Sequence, residues 1–211
     1  MIVHHFTTPI TTPFARKSTQ IYGDLCRLWE KAKIKESAKK PEITGLCRLI
    51  KGYKIMIKVL FVCHGNICRS PMAEFVMRDL VKKAGLASQF HIESAATSRE
   101  EIGNPVYPPA RRKLAEHGIS CEDHAARQLT NRDYDEYDLL IGMDQANLRD
   151  MYRICGGDYA EKMSLLMDHT ARPGNVADPW YTEDFEVTWQ DVLEGCQGLL
   201  KKLNANELLK G

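Results

Sequence analysis

The sequence predicts an α/β protein, a small doubly wound four-stranded parallel sheet with helices on both faces. Three observations predict it. Strand-like apolar runs alternate with helical patterns from Met56 onward, the first of those runs is apolar but for Lys58, and prolines and glycines punctuate the helices between them.

Each element has its own reason. "IKVLFV" (57–62) is apolar but for Lys58 near its start, as suits a strand buried on both faces. Residues 71–84, opened by Ser70-Pro71, are expected to be helical, because a first turn tolerates a residue without an N–H. "FHIESA" (90–95) reads as the second strand, and "PPARRKLAEHG" (108–118) as a helix with proline at its start and glycine at its end. "YDLLIGMD" (137–144) is expected as the third strand, "QANLRDMYRIC" (145–155) as a helix and "KMSLLMD" (162–168) as the fourth strand. A last helix is expected from about Phe185 to Leu203, and no internal repeat is visible. In such a sheet ligands bind beyond the carboxyl ends of the strands.

Composition sets the class. The 211 residues suffice for one well-buried domain with a short appendage. Their 44% apolar and 27% charged content is that of a globular protein. No apolar run approaches the roughly 20 residues that span a bilayer, and no compact signal-peptide core opens the chain, so a soluble, cytoplasmic protein without a membrane partner is expected. Cysteines stand at 26, 47, 63, 68, 121, 155 and 196, an odd number without a C-x-x-C pair. Neither a disulfide framework nor a metal site is expected, and no cofactor.

The net charge of +1 hides an asymmetry. Residues 1–55 hold eleven Lys and Arg against four Asp and Glu, a net of +7, which leaves −6 for the rest. The first stretch has weak apolar periodicity, and only "YGDLCRLWEKAKI" (22–34) could form an amphipathic helix. The expected division is therefore a basic, disordered leader or mis-assigned start over 1–55 and a folded domain over 56–211. A surface-binding tail and a targeting segment are competing readings of the leader. It lacks aromatic interleaving and any recognised motif, and no nucleic-acid partner is expected.

The chemistry concentrates in "VLFVCHGNICRSPMAEF" (59–75), a strand running through a polar loop into a helix. Such a loop turns successive N–H groups inward, and the helix amino terminus adds partial positive charge. Gly65 and Asn66 suit left-handed or tight conformations, and Arg69 adds a planar fork that can grip two phosphate oxygens. The site is not a nucleotide P-loop, because the lysine and glycine spacing of that motif are missing. Cys63 lies at the strand end beneath this cradle, where groups that bind a dianion also stabilise a thiolate, the nucleophilic form of cysteine. A buried packing cysteine is the plainer alternative, and the Arg69-Ser70 pair ahead of a helix weighs against it.

"VCHGNICRSPMAE" resembles the phosphate-binding loop of the low molecular weight protein tyrosine phosphatases, with Cys, five residues, Arg and Ser near the amino terminus. The likeness continues through "IESAATS", "HGI", "ARQLT", "YDLLIGMD" and "DPWY", covering 56–211. It implies hydrolysis of protein phosphotyrosine through a phosphocysteine, with Cys63 as nucleophile, Arg69 as phosphate clamp and Asp178 of "DPWY" as general acid and base. His64, Gly65, Asn66, Ile67, Cys68 and Ser70 would complete the phosphate loop, with Ser70 donating to Cys63 and Asn66 held by Ser94 and His124. Trp180 and Tyr181 would supply aromatic contact to the substrate ring, and Glu100 stands near the position where vertebrate members often carry an aromatic residue. Cys68 would guard Cys63 by forming a reversible disulfide under peroxide, a small packing role being its plainer alternative.

The expected partners are phosphotyrosine proteins, a tyrosine kinase among them, with the chain a monomer or weak dimer. Protein arginine phosphatases share the scaffold but resemble this chain with Thr where Ile67 stands, and Ile67 offers a guanidinium no hydrogen bond. Thioredoxin-coupled arsenate reductases need a resolving cysteine pair, whereas Cys121 and Cys155 are isolated. A non-catalytic phosphate-binding adaptor would dispense with Cys63, Arg69 or Asp178, and all three are present.

Overall fold

A computed structural model describes residues 56–208. The leader and the helix expected at 22–34 lie outside the described residues.

β1 (Ile57–Cys63) pairs in parallel with β2 (Phe90–Ala96) on one side and with β3 (Leu139–Gly142) on the other, and β4 (Met163–Leu165) pairs in parallel with β3. The sheet order is β2-β1-β3-β4, so the chain reverses its direction of winding at β1. That switch point opens a crevice at the carboxyl end of β1, where Cys63 stands.

The apolar run of β1 is buried on both faces because helices cover both. Val59, Phe61 and Cys63 join the cluster of Met72, Val76, Leu114 and Trp189, contributed by α1 (Arg69–Lys83), α2 (Pro108–Glu116) and the long final helix that begins at Phe185. Leu60 and Val62 face the opposite cluster with Tyr134, Leu140 and Met151, from α3 (Asn131–Glu136), β3 and α4 (Gln145–Cys155). Period-two alternation along one strand thus feeds two cores. After the short helical turn α5 (Pro179–Thr182) the chain closes with α6 (Phe185–Leu208).

The fold class agrees with the expectation, and several boundaries move. The first helix starts at Arg69, two residues before the expected Pro71, because Arg69 and Ser70 already wind into its first turn. The third strand is confined to 139–142, since Met143 and Asp144 leave the ladder to start α4. The fourth strand stops at Leu165, and Leu166–His169 wind into a 3-10 turn in which the Asp168 carboxylate accepts from the Leu165 N–H at 3.1 Å. The helix α3 was not expected. It is set by a capping box in which Thr130 N and Oγ1 both donate to the Asp133 carboxylate, at 2.7 and 2.8 Å.

Candidate active site

The loop between β1 and α1 is organised around Asn66, which is fully buried with φ of 58°. Asparagine tolerates this left-handed conformation better than most residues, and here every polar group of its side chain is used. Its Nδ2 donates to Ser70 Oγ (2.9 Å) and to Ser94 Oγ (2.7 Å), and its Oδ1 accepts from the Arg127 N–H (3.0 Å). Its main-chain carbonyl accepts from His124 Nε2 (2.8 Å). Because a carbonyl can only accept, that contact fixes the proton on Nε2, and burial pushes His124 below the ordinary imidazole range. Ser94 and His124 therefore both meet Asn66, the Ser94 hydroxyl accepting and His124 donating. Ser94 in turn donates to Glu74 Oε2 at 2.5 Å. Glu74 is buried, which raises its pKa against the pull of Ser94 and Arg78.

Gly65 does not adopt a positive φ, contrary to one reason for expecting it there. Its need is space. A Cβ at this position would lie 3.2 Å from Glu101 Cγ.

Asn66 places the groups around Cys63. The Asn66 N–H donates to Cys63 Sγ at 3.3 Å, and Ser70 Oγ lies 3.0 Å from the same sulfur. A thiolate only accepts, and Ser70 Oγ already accepts from Asn66 Nδ2, so the single hydroxyl proton is shared between the sulfur at 3.0 Å and the Ala95 carbonyl at 3.4 Å, and the shorter contact favours sulfur. Cys63 itself is 3% exposed, at the base of a cleft of about 280 Å³. Ile67, Cys68 and Arg69, all buried, line it with the exposed His64, together with Glu100 and Glu101 of the segment after β2 and Asp178, Trp180 and Tyr181 at the start of α5.

Arg69 is shared by two carboxylates. Its Nη1 donates to Asp144 Oδ2 and its Nη2 meets Asp178 Oδ2, each at 2.6 Å. Burial opposes the guanidinium charge, but the Cys63 sulfur, Asp178 and Asp144 outweigh it and raise its pKa above the ordinary value. Asp144 also caps α4, its Oδ1 accepting from the Asn147 N–H at 2.7 Å. Asp144 was not among the expected site residues; as an acidic residue in "YDLLIGMD" directly ahead of a helical pattern, it carries the one signal that the sequence offers for it.

Asp178 is the N-cap of α5, with Oδ1 accepting from the Trp180 N–H at 3.1 Å. Two buried residues of α6 hold its segment: Asp191 Oδ2 accepts from the Ala177 N–H (2.9 Å) and Thr188 Oγ1 donates to the Ala177 carbonyl (3.0 Å). Trp180 leans on Tyr107 with ring centroids 5.5 Å apart, and Tyr181 is 84% exposed.

Burial governs the other described thiols. Burial, then the Cys63 sulfur and Asp178, push the Cys68 thiol up to about 12. Burial also raises Cys121, and pushes Cys155 to about 11. All the cysteines among the described residues are free. No helix among them is long and apolar enough to cross a membrane.

Residues 58–208 match the family profile described as low molecular weight phosphotyrosine protein phosphatase. The low molecular weight protein-tyrosine-phosphatase YfkJ of Bacillus subtilis is 38% identical over 156 residues, 73% of this chain and 100% of its own. Its crystal structure superposes with a TM-score of 0.71, over 74% of this chain and 99% of that one. The low molecular weight phosphotyrosine protein phosphatase of Homo sapiens is 38% identical over 149 residues, 68% of this chain and 94% of its own. The low molecular weight protein tyrosine phosphatase SP-PTP of Streptococcus pyogenes, 41% identical, gives a TM-score of 0.65 over 74% of this chain and 98% of that one.

Proposed function

The chain belongs to the low molecular weight phosphotyrosine protein phosphatase family, and from that membership we propose a mechanism in which Cys63, Arg69 and Asp178 hydrolyse phosphotyrosine by two in-line displacements. The chain is a phosphoric monoester hydrolase acting on phosphotyrosine in proteins. The observation that carries the assignment of Cys63 is the pair of donors on its sulfur, Asn66 N–H at 3.3 Å and Ser70 Oγ at 3.0 Å, at the base of the cleft.

The phosphoryl group enters the cradle with two oxygens on Arg69 and the others on loop N–H groups. The dianion competes with Asp178 for Arg69 Nη2, and Asp178, released from that 2.6 Å contact, turns toward the leaving oxygen and takes up a proton. In the first step a Cys63 Sγ–phosphorus bond forms as the phosphorus–oxygen bond to the ring breaks, and Asp178 gives its proton to the departing phenolate. In the second, Asp178 takes a proton from water, the oxygen bonds to phosphorus, the sulfur–phosphorus bond breaks, and inorganic phosphate leaves. Charge spread over the equatorial oxygens in each transition state is met by Arg69 and the loop amides, already aimed before reaction. Asp144 keeps Arg69 oriented through both steps, because it binds the nitrogen that Asp178 does not.

Residues 56–211 are the catalytic unit in this reading, and 1–55 are a basic leader that the chemistry does not need. The enzyme works in the cytoplasm, as a monomer or weak dimer, on phosphotyrosine proteins that include a tyrosine kinase. Hydrolysis of phosphotyrosine, phosphoserine and phosphoarginine peptides by the wild type and Cys63→Ser tests it: turnover of phosphotyrosine alone, lost in the variant, is expected. Equal or faster turnover of phosphoarginine would overturn the substrate assignment.

A further inference from the structure

The two walls of the cleft are unlike. The start of α5 contributes the aromatic rings of Trp180 and Tyr181; the segment after β2 contributes the carboxylates of Glu100 and Glu101, with His64 Nε2 at 3.3 Å from Glu100 Oε2. Arg99 precedes the two acids in sequence but does not line the cleft.

The acidic wall is built, not draped. Thr97 N–H donates to the Cys63 carbonyl and Ser98 N–H to the His64 carbonyl, both at 2.9 Å, so the segment is tied directly to the phosphate loop. Gly103 N–H donates to the Ala126 carbonyl at 2.8 Å, and Asn104 Nδ2 holds Glu101 Oε2 at 2.6 Å. Glu101 packs so closely on Gly65 that no larger residue fits there without moving it. Glu100 has its side chain 73% exposed and shares only Oε2 with the His64 ring, itself 58% exposed, so both stand where an entering peptide meets them.

Charge at the rim is one-sided. Among the described lining residues the basic side chains are His64, beside Glu100, and Arg69, which lies at the base, 4% exposed, and is committed to the phosphate. A phosphotyrosyl peptide seated there brings its neighbouring residues over the rim, since successive Cα atoms are about 3.8 Å apart and a lysine or arginine side chain reaches farther than that. Resting on the phosphotyrosine phosphatase reading above, we propose that Glu100 and Glu101 select phosphotyrosine sites flanked by lysine or arginine and reject acid-flanked ones. The cleft and its occupant class are set by the catalytic groups; the two carboxylates choose among peptides.

The test uses the full chain and three phosphotyrosine heptapeptides identical except for Lys, Ala or Glu on either side of the phosphotyrosine. Exposed ion pairs each change affinity by a few-fold, and attraction in one peptide adds to repulsion in the other, so kcat/KM should favour the Lys peptide over the Glu peptide by about 10-fold at low salt. The ratio should shrink several-fold between about 0.05 and about 0.5 M salt, as screening requires. In the double variant Glu100→Gln, Glu101→Gln it should fall to about 1–2, and in Glu100→Gln alone, at an exposed position where folding is not at stake, to about half the wild-type value or less. A wild type that turns over the Ala peptide without favouring Lys over Glu overturns this proposal and leaves the catalytic reading standing. A preference that survives both substitutions also overturns it. If none of the three peptides is hydrolysed, the catalytic reading falls, and this one with it.

Discussion

Replacing Asn66 with alanine should damage stability and activity together, by an amount the structure allows to be worked out. The substitution removes three side-chain hydrogen bonds, to Ser70, Ser94 and the Arg127 N–H. At about 1 kcal/mol net each they sum to about 3 kcal/mol, and the half-buried Arg127 N–H left without its acceptor adds about 1 kcal/mol more. Alanine at a φ of 58° costs a further ~1–2 kcal/mol. The total of about 5–6 kcal/mol is a large share of the ~5–15 kcal/mol that holds a domain together. Asn66→Gly loses the same hydrogen bonds but escapes the backbone penalty; its greater freedom when unfolded returns part of that gain, leaving it ahead of alanine by about 0.5–1 kcal/mol. Urea unfolding measures both variants, and kcat/KM on an aryl phosphate should drop by about 10²-fold in Asn66→Gly, because the loop N–H and Ser70 no longer converge on Cys63 Sγ. A loss under about 1 kcal/mol in Asn66→Ala, or an alanine variant more stable than the glycine one, would refute the reasoning.

Four other outcomes are expected. Asp178→Ala should lose roughly 10²- to 10⁴-fold in kcat on substrates with poor leaving groups and much less on a very good one; equal loss on both would make Asp178 structural. Because burial and neighbouring negative charge push the Cys68 thiol up to about 12, iodoacetamide at neutral pH should label Cys63 and leave Cys68 unlabelled, and Cys68→Ser should turn over normally yet be inactivated irreversibly by peroxide; labelling of Cys68 at the rate of Cys63, or recovery of the variant with added thiol, would contradict this. Gly198→Ala should destabilise the fold by at least about 1 kcal/mol even though alanine is the better helix former, since a Cβ there would lie 2.1 Å from the His169 carbonyl oxygen, and a higher urea midpoint would contradict it. Burial lowers His124 and His169, so the unfolded chain protonates both first and stability should fall as pH drops below about 6.5; in His124→Gln the fall between pH 7.5 and 5.5 should be smaller, and an unchanged fall would contradict the assignment.

The sequence was most legible where chemistry is local. The apolar run of β1, interrupted only by Lys58, the loop after it and the proline in the first turn of α1 mark a polar loop at a strand end, and Cys63, Asn66 and Arg69 gather there. What it could not display were partners made by the sheet. Asp144 and Asp178 meet Arg69 only because β3 ends beside β1 and because Asp191 and Thr188, buried on α6, hold the segment before α5. Asp178 was located by family resemblance, and no spacing along the chain would have paired it with Cys63. The helix α3 was missed although Thr130 and Asp133 form a capping pair, because six residues carry too little periodicity to stand out. The fourth strand was drawn too long because the apolar residues Leu166 and Met167 fill the core equally well from a 3-10 turn.

The most direct measurement is mass spectrometry of the acid-quenched enzyme during turnover of a phosphotyrosine peptide, with digestion to isolate the segment containing Cys63. One phosphoryl group is expected on that segment in the wild type, at Cys63, and neither adduct nor turnover in Cys63→Ser. Turnover retained by Cys63→Ser, or a phosphoryl group found on another residue, would contradict it.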